Sequence, residues 1–297
     1  MIKINEPKKV CVLIVSYNFE QWIDKCIKSV LDSSIHAAIL VVDNYSIDST
    51  CQILKKKYPE VTLIESKENA GFGKANNIGM EYIINNGFEY AFLLNQDAWI
   101  EKNTIEKLLE EAVYGKEFGI LSPVHLNGKG NATDFGFYKY TGIKNREDAV
   151  KLKDNVIEYS FINAAMWLMH TSIWLKVGGF AQIFSHYGED LNWTQRLRKQ
   201  GYKIGLVKTA FGYHDREERV ISFDNFFYSE YVYFLTEAVN PFYSTPKAIA
   251  FSLLASIKKA TISLFSNKRN YSKEYLKITF KLLKMSRSIL HTRKETI

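Results

Sequence analysis

Residues 1–125 alternate between short apolar runs and segments whose apolar positions recur every three or four residues. A short apolar run predicts a buried strand, and the longer periodicity predicts an amphipathic helix. Such βαβα alternation is typical of a mostly parallel sheet with helices on both faces. The predicted strands are Val10 to Val15, Ile39 to Val42, Val61 to Ile64, Tyr90 to Leu94 and Phe118 to Leu121. The predicted helices are Trp22 to Leu31, Asp48 to Tyr58, Gly73 to Asn85, and Asn103 to Ala112 with Asn103 as its cap.

The regular alternation of predicted strands and helices ends after Ser122. A Gly- and Asn-rich stretch from Asn127 to Gly136 predicts a mobile loop. A second ordered block begins near Phe161, and the rest of the chain is mainly helical. Its predicted parts are an apolar run from Ala164 to Met169, a Gly178-Gly179 turn, a helix from Glu189 to Gln200 closed by Gly201, and a strand from Lys203 to Val207.

Composition narrows the class of protein. The 297 residues are 46% hydrophobic and 24% charged, as in ordinary globular chains. The three cysteines, Cys11, Cys26 and Cys51, lie in apolar segments without metal-ligand spacing, so we expect buried thiols and a cytoplasmic location. The apolar runs Val10 to Val15 and Ala248 to Ile257 are too short for a signal peptide or a membrane span.

Charge is distributed unevenly along the chain, whose formal net charge is +7. Residues 241–297 contain 12 Lys plus Arg and 2 Asp plus Glu, a charge of +10, which leaves −3 for residues 1–240. Because the basic residues belong to the tail, the sequence argues against a nucleic-acid groove and for a surface-binding appendage.

Polar clusters follow the first four predicted strands. The carboxyl ends of parallel strands meet at one edge of a sheet, where open α/β proteins bind their ligands. We therefore expect the four clusters to lie together. They are Ser16-Tyr17-Asn18, Asp43-Asn44, Asn69 to Asn77, and Asn95-Gln96-Asp97.

The residue types in these clusters suit a nucleoside diphosphate. Tyr17 can stack on a base, and Asp43 can accept a hydrogen bond from a base N–H or a ribose hydroxyl. Glycines in the third cluster let backbone N–H groups approach a phosphate, and Lys74 or Asn76 can add a donor. Asp97 can hold a divalent cation against the diphosphate. The alternative for a lone aspartate after a strand is a turn or helix N-cap residue.

Other nucleotide-binding motifs fit less well. Gly71-Phe72-Gly73 follows the third strand and lacks a third glycine at the proper spacing, unlike a dinucleotide fingerprint. The chain also has no Gly-x-x-x-x-Gly-Lys-Ser/Thr phosphate loop. Hydrolysis of ATP or GTP by that motif is therefore excluded.

An acidic pair, Glu189-Asp190, opens a helix predicted in the second block. Backbone N–H groups and the helix dipole favour ionised carboxylates at this position. An ionised carboxylate there can act as a general base. Alternatively, the pair only complements the helix dipole.

Taken in order from Val10 to His214, these motifs resemble the bacterial family 2 glycosyltransferases, inverting enzymes with the GT-A fold. The resemblance implies a GT-A α/β domain with a Rossmann-like mixed sheet at residues 1–220 and a helical, basic extension at residues 221–297. The Asn-Gln-Asp-Ala and Gly-Phe-Gly-Lys-Ala-Asn-Asn segments are most similar to the rhamnosyltransferase-like branch. The motifs are Val15 to Asn18, Val42 to Asn44 with Asp48 and Thr50, Asn69 to Gly79, Leu94 to Ala98, Gly178-Gly179-Phe180, Glu189-Asp190 through Arg196-Leu197, and Gly201-Tyr202.

The resemblance also implies roles and partners. The partners are a nucleotide-sugar donor and a saccharide or lipid-linked acceptor, with a divalent cation, Mg²⁺ or Mn²⁺, as cofactor and without nucleic acid. The reaction would be a single inverting displacement in bacterial surface polysaccharide synthesis. The implied residues are Ser16, Tyr17, Asp43, Asn44, Lys74, Asn76 and Asn95 for the donor, Asp97 and His214 for the metal, Asp190 as the base, and Glu189 and Trp193 on the acceptor side.

Two positions depart from the family pattern. Asn95 stands where the metal motif has its first carboxylate, which removes one negative charge and leaves the donor diphosphate to supply much of the coordination. Phe180-Ala181-Gln182 replaces the frequent Phe-Asp-Glu after the double glycine, on the acceptor side. His214, for its part, is either a metal ligand or a structural histidine.

The basic tail contains an amphipathic pattern from Lys273 to Leu290. Such a helix predicts contact with an anionic membrane surface and a peripheral location at the inner face of the cell membrane. Alternatively, it packs on the catalytic domain or on a homodimer partner. The basic arc holds Lys273, Lys277, Lys281, Lys284 and Arg287, and the apolar arc Tyr275, Ile278, Leu282, Met285 and Ile289.

Two other functions remain open from the residues. A sugar nucleotidyltransferase shares this architecture but should have a Gly-rich loop with a basic residue after the first strand, where this chain has Ser16-Tyr17-Asn18-Phe19. A non-catalytic sugar-nucleotide-binding or scaffold protein is the other alternative. The presence of both Asp97 and Asp190 argues against it, whereas Asn95 argues for it.

Overall fold

The computed structural model describes residues 10–216 and 222–296, which form two compact units. The first unit comprises residues 10–179 and 201–216, and the second comprises residues 180–200 and 222–296. The sequence places a single boundary near residue 220. The structure instead groups residues 180–200 with the C-terminal helices.

The first unit is a mixed sheet flanked by helices, which confirms the α/β fold expected from the sequence. Up to the segment that enters the second unit, its elements are β1 (Val10–Ser16), α1 (Ile23–Leu31), β2 (Ala38–Asp43), α2 (Thr50–Lys57), β3 (Thr62–Glu65), α3 (Phe72–Asn85), β4 (Tyr90–Asn95), β5 (Ala98–Ile100), α4 (Thr104–Tyr114), β6 (Phe118–Asn127), α5 (Phe135–Thr141), α6 (Arg146–Val150), β7 (Val156–Tyr159), β8 (Met166–His170) and α7 (Thr171–Val177). The chain then forms α8 (Glu189–Lys199) in the second unit and returns as β9 (Lys203–His214).

The strand order is β3-β2-β1-β4-β8-β6-β9-β5, and β7 pairs with β9. Strands β1 to β4 are parallel, whereas β8 is antiparallel to both β4 and β6. Register pairs Ser16 with Asp43 and Val15 with Asn95. The carboxyl ends of β1, β2 and β4 therefore lie at one edge, as the polar clusters predicted.

The core of this unit lies between the sheet and its helices. Strand side chains such as Val12, Ile14 and Phe92 are buried, and α1 covers them with Ile23 and Ile27. Burying an aliphatic or aromatic side chain of this size stabilises the fold by about 1.5–3 kcal/mol. These strands appear in the sequence as continuous apolar runs because both faces of the sheet are covered.

Residues 128–134 form a loop between β6 and α5, within the stretch predicted as a loop, and a bridge between Leu126 and Thr133 closes it. Two other local predictions were wrong. Asn103 makes no side-chain capping hydrogen bond with α4. The strand predicted from Lys203 to Val207 was too short. It continues to His214 as β9, because register shifts between β6 and β9 keep the two strands paired.

The second unit is helical. After α8 come α9 (Phe223–Ala238), α10 (Thr245–Phe265), α11 (Arg269–Lys284) and α12 (Ser286–Thr296). Its core holds aromatic residues of α9, such as Phe227 and Phe234, together with Phe184 from the segment before α8.

The amphipathic tail differs from its prediction. The pattern from Lys273 to Leu290 is divided between α11 and α12, with a break at Met285. Its apolar arc packs in the core of the second unit, where Tyr275 and Leu282 are buried. Membrane contact through that arc is therefore wrong for this fold, because the side chains that would insert are already covered.

Helix α10 is also longer than the apolar run predicted. Its 21 residues include a window with a mean hydropathy of 1.5, so by length and composition alone it could cross a membrane. It is the one helix of the described residues with this property. The run Ala248 to Ile257 is too short for a membrane span by itself, but it is part of a helix that is long enough for one.

Candidate active site

The ends of β1 and β2 meet at the carboxylate of Asp43. The Ser16 hydroxyl donates to Asp43 Oδ1 at 2.8 Å, and the Ser46 backbone N–H donates to Oδ2 at 2.9 Å. Both Ser16 and Asp43 are buried. The Ser46 hydroxyl also donates to Oδ1, at 2.5 Å. Because a carboxylate oxygen can accept two hydrogen bonds, these donors orient Asp43 and leave capacity for a ligand on Oδ2.

Asn44 shapes the loop that leads into α3. Its Nδ2 donates to Asn69 Oδ1 at 2.8 Å, and its Oδ1 accepts from the Ala70 backbone N–H at 2.9 Å. Gly71, which follows with a φ of +84°, adopts a conformation that favours glycine. The third polar cluster is thus held against the second, as the sheet topology predicted.

Two tyrosines are exposed at this edge. The Tyr17 backbone N–H donates to Gln96 Oε1 at 2.7 Å, and Gln96 Nε2 donates back to the Tyr17 carbonyl at 3.1 Å, so the ends of β1 and β4 are joined. Tyr45, which the sequence motifs do not single out, is 52% exposed and has a φ of +70°. A left-handed conformation at a bulky residue is strained, and such strain is concentrated at functional sites.

The two predicted donor residues of α3 differ in availability. Lys74 is exposed. Asn76 is buried, and its Nδ2 donates to the Phe72 carbonyl of the same helix at 2.9 Å. Lys74 is therefore free to reach a ligand, whereas the amide N–H of Asn76 stabilises its own helix.

Asp97 and His214 come together through the pairing of β5 with β9. Ala98 pairs with His214, and the Asp215 backbone N–H donates to the Asp97 carbonyl at 2.8 Å. His214 Nε2 lies 3.3 Å from Asp97 Oδ1 and 3.5 Å from Asn95 Nδ2. The predicted metal ligands, Asp97 and His214, thus form one cluster with Asn95, the residue that differs from the family pattern.

A second carboxylate, Asp134, lies on the other side of the His214 ring, with its Oδ2 3.8 Å from Nδ1. Arg216 donates to both of its oxygens, from Nε at 2.8 Å and from Nη2 at 2.7 Å. Asp134 also caps α5 by accepting from the Phe137 backbone N–H at 2.9 Å. A Cβ atom at Gly136 would lie only 1.7 Å from Nη2 of Arg216, so the guanidinium occupies the space that glycine leaves.

The charges at this cluster keep its carboxylates ionised. Burial alone would raise the pKa of Asp97, but the hydrogen bond and charge of His214, aided by Arg216, hold that pKa below its ordinary value. Burial likewise opposes ionisation of Asp134, and its bonds to Arg216 outweigh burial and lower the pKa. Two carboxylates beside an imidazole therefore face the site in ionised form.

A second histidine lies behind the first. His125 is fully buried, its ring meets that of His214 edge-on at 6.5 Å between centroids, and its Nε2 is 2.9 Å from Ser122 Oγ. Burial lowers the pKa of His125 to about 3, so the ring is neutral. It contributes shape and packing rather than charge.

The residues at this cluster fit a divalent cation. Asn95 Oδ1 is buried without a hydrogen-bond partner, so the cluster has a polar oxygen that its own contacts leave unsatisfied. A carboxylate, an amide oxygen and an imidazole are suitable ligands for Mn²⁺, and the first two for Mg²⁺. Across residues 10–216 and 222–296, no three His, Cys, Asp or Glu side chains are close enough to hold a metal by themselves. Asp97 and His214 would therefore need ligands from Asn95, water or a bound diphosphate.

The remaining predicted residues belong to the second unit. Burial and the charge of Asp190 raise the pKa of Glu189 to about 7, which opposes the ionised form that the helix N-terminus favours. Asp190 Oδ1 accepts from the Leu191 backbone N–H at 2.7 Å. Trp193 is completely buried and packs edge-on against Phe180, so in this conformation its ring is part of the packing and is not exposed to a ligand.

Residues 11–167, more than half of the chain, match the glycosyl transferase family 2 domain. The chain belongs to glycosyl transferase family 2. This family 2 match includes β1, β4 and Asp97, whereas His214 and Arg216 lie beyond it. One curated family 2 relative in sequence is the chondroitin synthase of Escherichia coli, 32% identical over 106 residues. The match covers 34% of this chain and 15% of the relative, so this chain spans a small part of that protein's length.

Two solved structures show that this family 2 chain has the GT-A fold. S. aureus TarS 1–349 in complex with UDP has a TM-score of 0.57 at 16% identity, covering 97% of this chain and 88% of that chain. GalNAc-T7 with UDP, GalNAc and Mn²⁺ has a TM-score of 0.59 at 14% identity, covering 80% and 51%. Both are similar in fold, and both were solved with UDP.

Proposed function

We propose that this family 2 protein is an inverting glycosyltransferase that moves a sugar from a nucleotide-diphosphate-sugar to a hydroxyl of a saccharide or lipid-linked saccharide. The biological setting would be bacterial surface polysaccharide synthesis, at the cytoplasmic side of the membrane. One observation carries the proposal. Ser16, Asp43 and Asp97 lie at or just after the carboxyl ends of the neighbouring strands β1, β2 and β4, which share one sheet edge, and His214 lies 3.3 Å from Asp97.

The donor nucleotide would lie across that edge. Asp43 is oriented by Ser16 and has lone pairs left to accept from the base or ribose. Tyr17 offers an exposed ring to the base, and Lys74 an exposed ammonium to the diphosphate. The loop that Asn44 holds would place backbone N–H groups near the phosphates at the start of α3.

A divalent cation, Mg²⁺ or Mn²⁺, would be held by Asp97 with Asn95 Oδ1 as a neutral ligand, and His214 would add an imidazole ligand for Mn²⁺. Bound there, the cation would stabilise the charge that develops on the diphosphate leaving group. Asp134 would keep the imidazole in place from its Nδ1 side, and Arg216 would keep Asp134 ionised. Fixing the second nitrogen of a liganding histidine with a carboxylate is a common means of orienting the ring.

Asp190 would serve as the general base. It would take the proton of the acceptor hydroxyl, whose oxygen attacks the anomeric carbon from the face opposite the nucleotide. The raised pKa of Glu189 supports this division of roles, because burial and the charge of Asp190 make Glu189 the harder of the two carboxyls to ionise. One displacement without a protein nucleophile inverts the anomeric configuration.

A thermal-shift panel tests donor binding. UDP-, dTDP- and GDP-sugars are added with and without Mn²⁺ to the wild-type protein and to the Asp97→Ala and Asp190→Ala variants. We expect Mn²⁺-dependent stabilisation by one nucleotide class, which is lost in Asp97→Ala and retained in Asp190→Ala. Indifference of the wild-type protein to every donor would contradict the proposal.

Turnover separates catalysis from binding alone. With the donor class identified, release of nucleoside diphosphate is measured over a set of saccharide acceptors, and the anomeric configuration of the product is determined by NMR. We expect inversion, and loss of turnover in Asp190→Asn. Donor binding without turnover on any acceptor would favour the non-catalytic binding protein, and wild-type turnover in Asp190→Asn would remove Asp190 as the base.

A further inference from the structure

Helices α10 and α11 of the second unit form a hairpin, and each helix has one buried and one exposed side. A hydrogen bond of 2.7 Å joins Ser256 Oγ of α10 to Thr279 Oγ1 of α11. A short link at residues 266–268 connects the two helices. The buried face of α10 is a stripe of small residues, of which Ala248 and Ala260 are examples. The hairpin is thus attached to its own core along one side only.

The exposed side of this hairpin is unusually apolar. Leu254 is 65% exposed, Phe265 is 85% exposed, and Phe280 of α11 is 67% exposed. Soluble proteins scatter exposed apolar residues singly, whereas a concentration of them on neighbouring helices marks an interaction surface. We call this surface the hairpin face, and its most exposed apolar members are Leu254, Ile262, Leu264, Phe265, Phe280 and Leu283.

The hairpin face is also strongly basic. Residues 245–284 contain nine Lys or Arg and one acidic residue, Glu274. Lys258 of α10 is exposed, as are Lys268 of the link and Arg269, Lys273 and Lys277 of α11. Apolar side chains surrounded by cations are complementary to a surface with anionic headgroups above hydrocarbon.

The same charges argue against two other occupants. A second copy of this chain would bring two positive surfaces together, which repel each other. A transmembrane position for α10 would place Lys258 and Lys259 near the middle of its apolar stretch, where ammonium groups are costly. An anionic lipid surface satisfies both the apolar and the basic residues.

We infer that the hairpin face lies on the surface of an anionic lipid bilayer, with Phe265 and Phe280 inserted at the headgroup boundary and the lysines among the headgroups. The contact uses the side of α11 opposite to the arc that its sequence pattern suggests, because that arc is in the core. It is independent of the donor site, since the residues involved are confined to the second unit.

Vesicle flotation with the full chain tests this inference. Vesicles of phosphatidylcholine alone and of phosphatidylcholine with 30% phosphatidylglycerol are compared at low and high salt. We expect flotation with the anionic vesicles that weakens as salt rises. Phe265→Ser with Phe280→Ser should reduce partitioning about tenfold or more, and Lys258→Gln with Lys273→Gln and Lys277→Gln about a hundredfold.

Matched controls alter equally exposed residues of the first unit. Tyr114, 76% exposed, and Leu175, 64% exposed, are changed to Ser, and Lys56, Lys102 and Lys116 to Gln. We expect these variants to float like the wild-type protein. All substituted residues are at the surface, and an unchanged circular dichroism melt verifies that each variant is folded.

Three results would overturn the inference. The first is a wild-type protein that stays unbound with every vesicle. The second is equal flotation of the hairpin and control variants. The third is a concentration-dependent dimer, seen by light scattering without lipid and abolished by Phe265→Ser with Phe280→Ser, because the face would then be an interface between copies.

Discussion

His214 Nε2 lies 3.3 Å from Oδ1 of Asp97, although the two residues come from strands far apart in the sequence. Their proximity is a consequence of register, because Ala98 and His214 are the first pair of the antiparallel contact between β5 and β9. The pair is therefore fixed by backbone hydrogen bonds before any ligand arrives. A preformed pair of this kind loses little conformational entropy when it binds a cation.

The first prediction concerns this pair. Asp97→Asn and His214→Gln should each weaken Mn²⁺ binding in the presence of UDP by about tenfold or more, because each removes one of few protein ligands. Electron paramagnetic resonance measures free Mn²⁺ directly and does not depend on turnover. Asp154→Asn, at an exposed carboxylate of the same unit, is the control. Unchanged Mn²⁺ affinity in both cluster variants would show that the metal binds elsewhere.

A second prediction concerns stability and pH. The folded-state pKa of Glu189 is raised by burial and by Asp190, so the folded protein binds more protons than the unfolded chain above pH 4.5, the ordinary value for Glu. The free energy of unfolding should therefore fall as pH rises from 4.5 through the folded-state pKa. Glu189→Gln should remove this slope and gain about 1 kcal/mol or more at pH 8. Urea unfolding from pH 5 to pH 8 measures it.

The matched control for that series is Glu117→Gln, which changes an exposed carboxyl. It should follow the wild-type slope throughout. A Glu189→Gln variant with the wild-type slope would mean that Glu189 is already ionised in the folded protein, and the division of roles with Asp190 would lose its support.

A third prediction uses the space above Gly136. In Gly136→Ala, the new Cβ would meet Nη2 of Arg216 at 1.7 Å, so the guanidinium has to move. We expect it to lose its hydrogen bonds to Asp134 while all charges are conserved. Loss of this partly buried ion pair should lower the free energy of unfolding by about 1–3 kcal/mol. Thermal melts of Gly136→Ala and of Gly142→Ser, where a side chain would meet open space, measure the difference.

Gly142 lies at a φ of +73°, so its own substitution is also strained. The diagnostic result is consequently the double variant Gly136→Ala with Arg216→Gln. If the clash acts through the guanidinium, Gly136→Ala should cost little once Arg216 is replaced. Equal costs in both backgrounds would show that Gly136 acts through the backbone.

A fourth prediction concerns the loop before α3. Asn44→Ala removes the hydrogen bonds to Asn69 and to the Ala70 backbone N–H, and should weaken UDP binding while lowering the free energy of unfolding by about 1–3 kcal/mol. Calorimetric titration with UDP and Mn²⁺ measures the affinity. Asn86→Ala, whose amide donates only to the Tyr82 carbonyl of its own helix, should leave UDP binding unchanged. Equal UDP affinities in Asn44→Ala and wild type would show that this loop does not contribute to binding the phosphates.

Sequence patterns were sufficient for the parallel half of the sheet because its strands are covered on both faces. Val10 to Val15 and Tyr90 to Leu94 were predicted to within one residue of β1 and β4. Strand β5 was missed because its three residues, Ala98–Ile100, are too few to show a period. Strand β5 forms by pairing with β9, which lies far from it in the sequence.

The site was predictable where its residues end strands and not where they depend on tertiary pairing. Ser16, Asp43 and Asp97 follow apolar runs, and they were identified from that position. Asp134 and Arg216 do not follow a predicted strand. Asp134 lies within the Gly- and Asn-rich stretch, and Arg216 follows a strand whose last half was not predicted. Asp134 could have been found as an N-cap residue before Phe135, a signal that the surrounding glycines hide.

The interleaving of the two units has a practical consequence for making shorter proteins. A fragment that ends at residue 220 would keep residues 180–200 and lose α9, on which Ala181 and Phe184 pack. Such a fragment would expose apolar side chains that the full chain covers, and we expect it to aggregate when expressed. A stable deletion product of this protein has to keep α9 to α12, or replace residues 180–200 with a short linker and forgo Asp190.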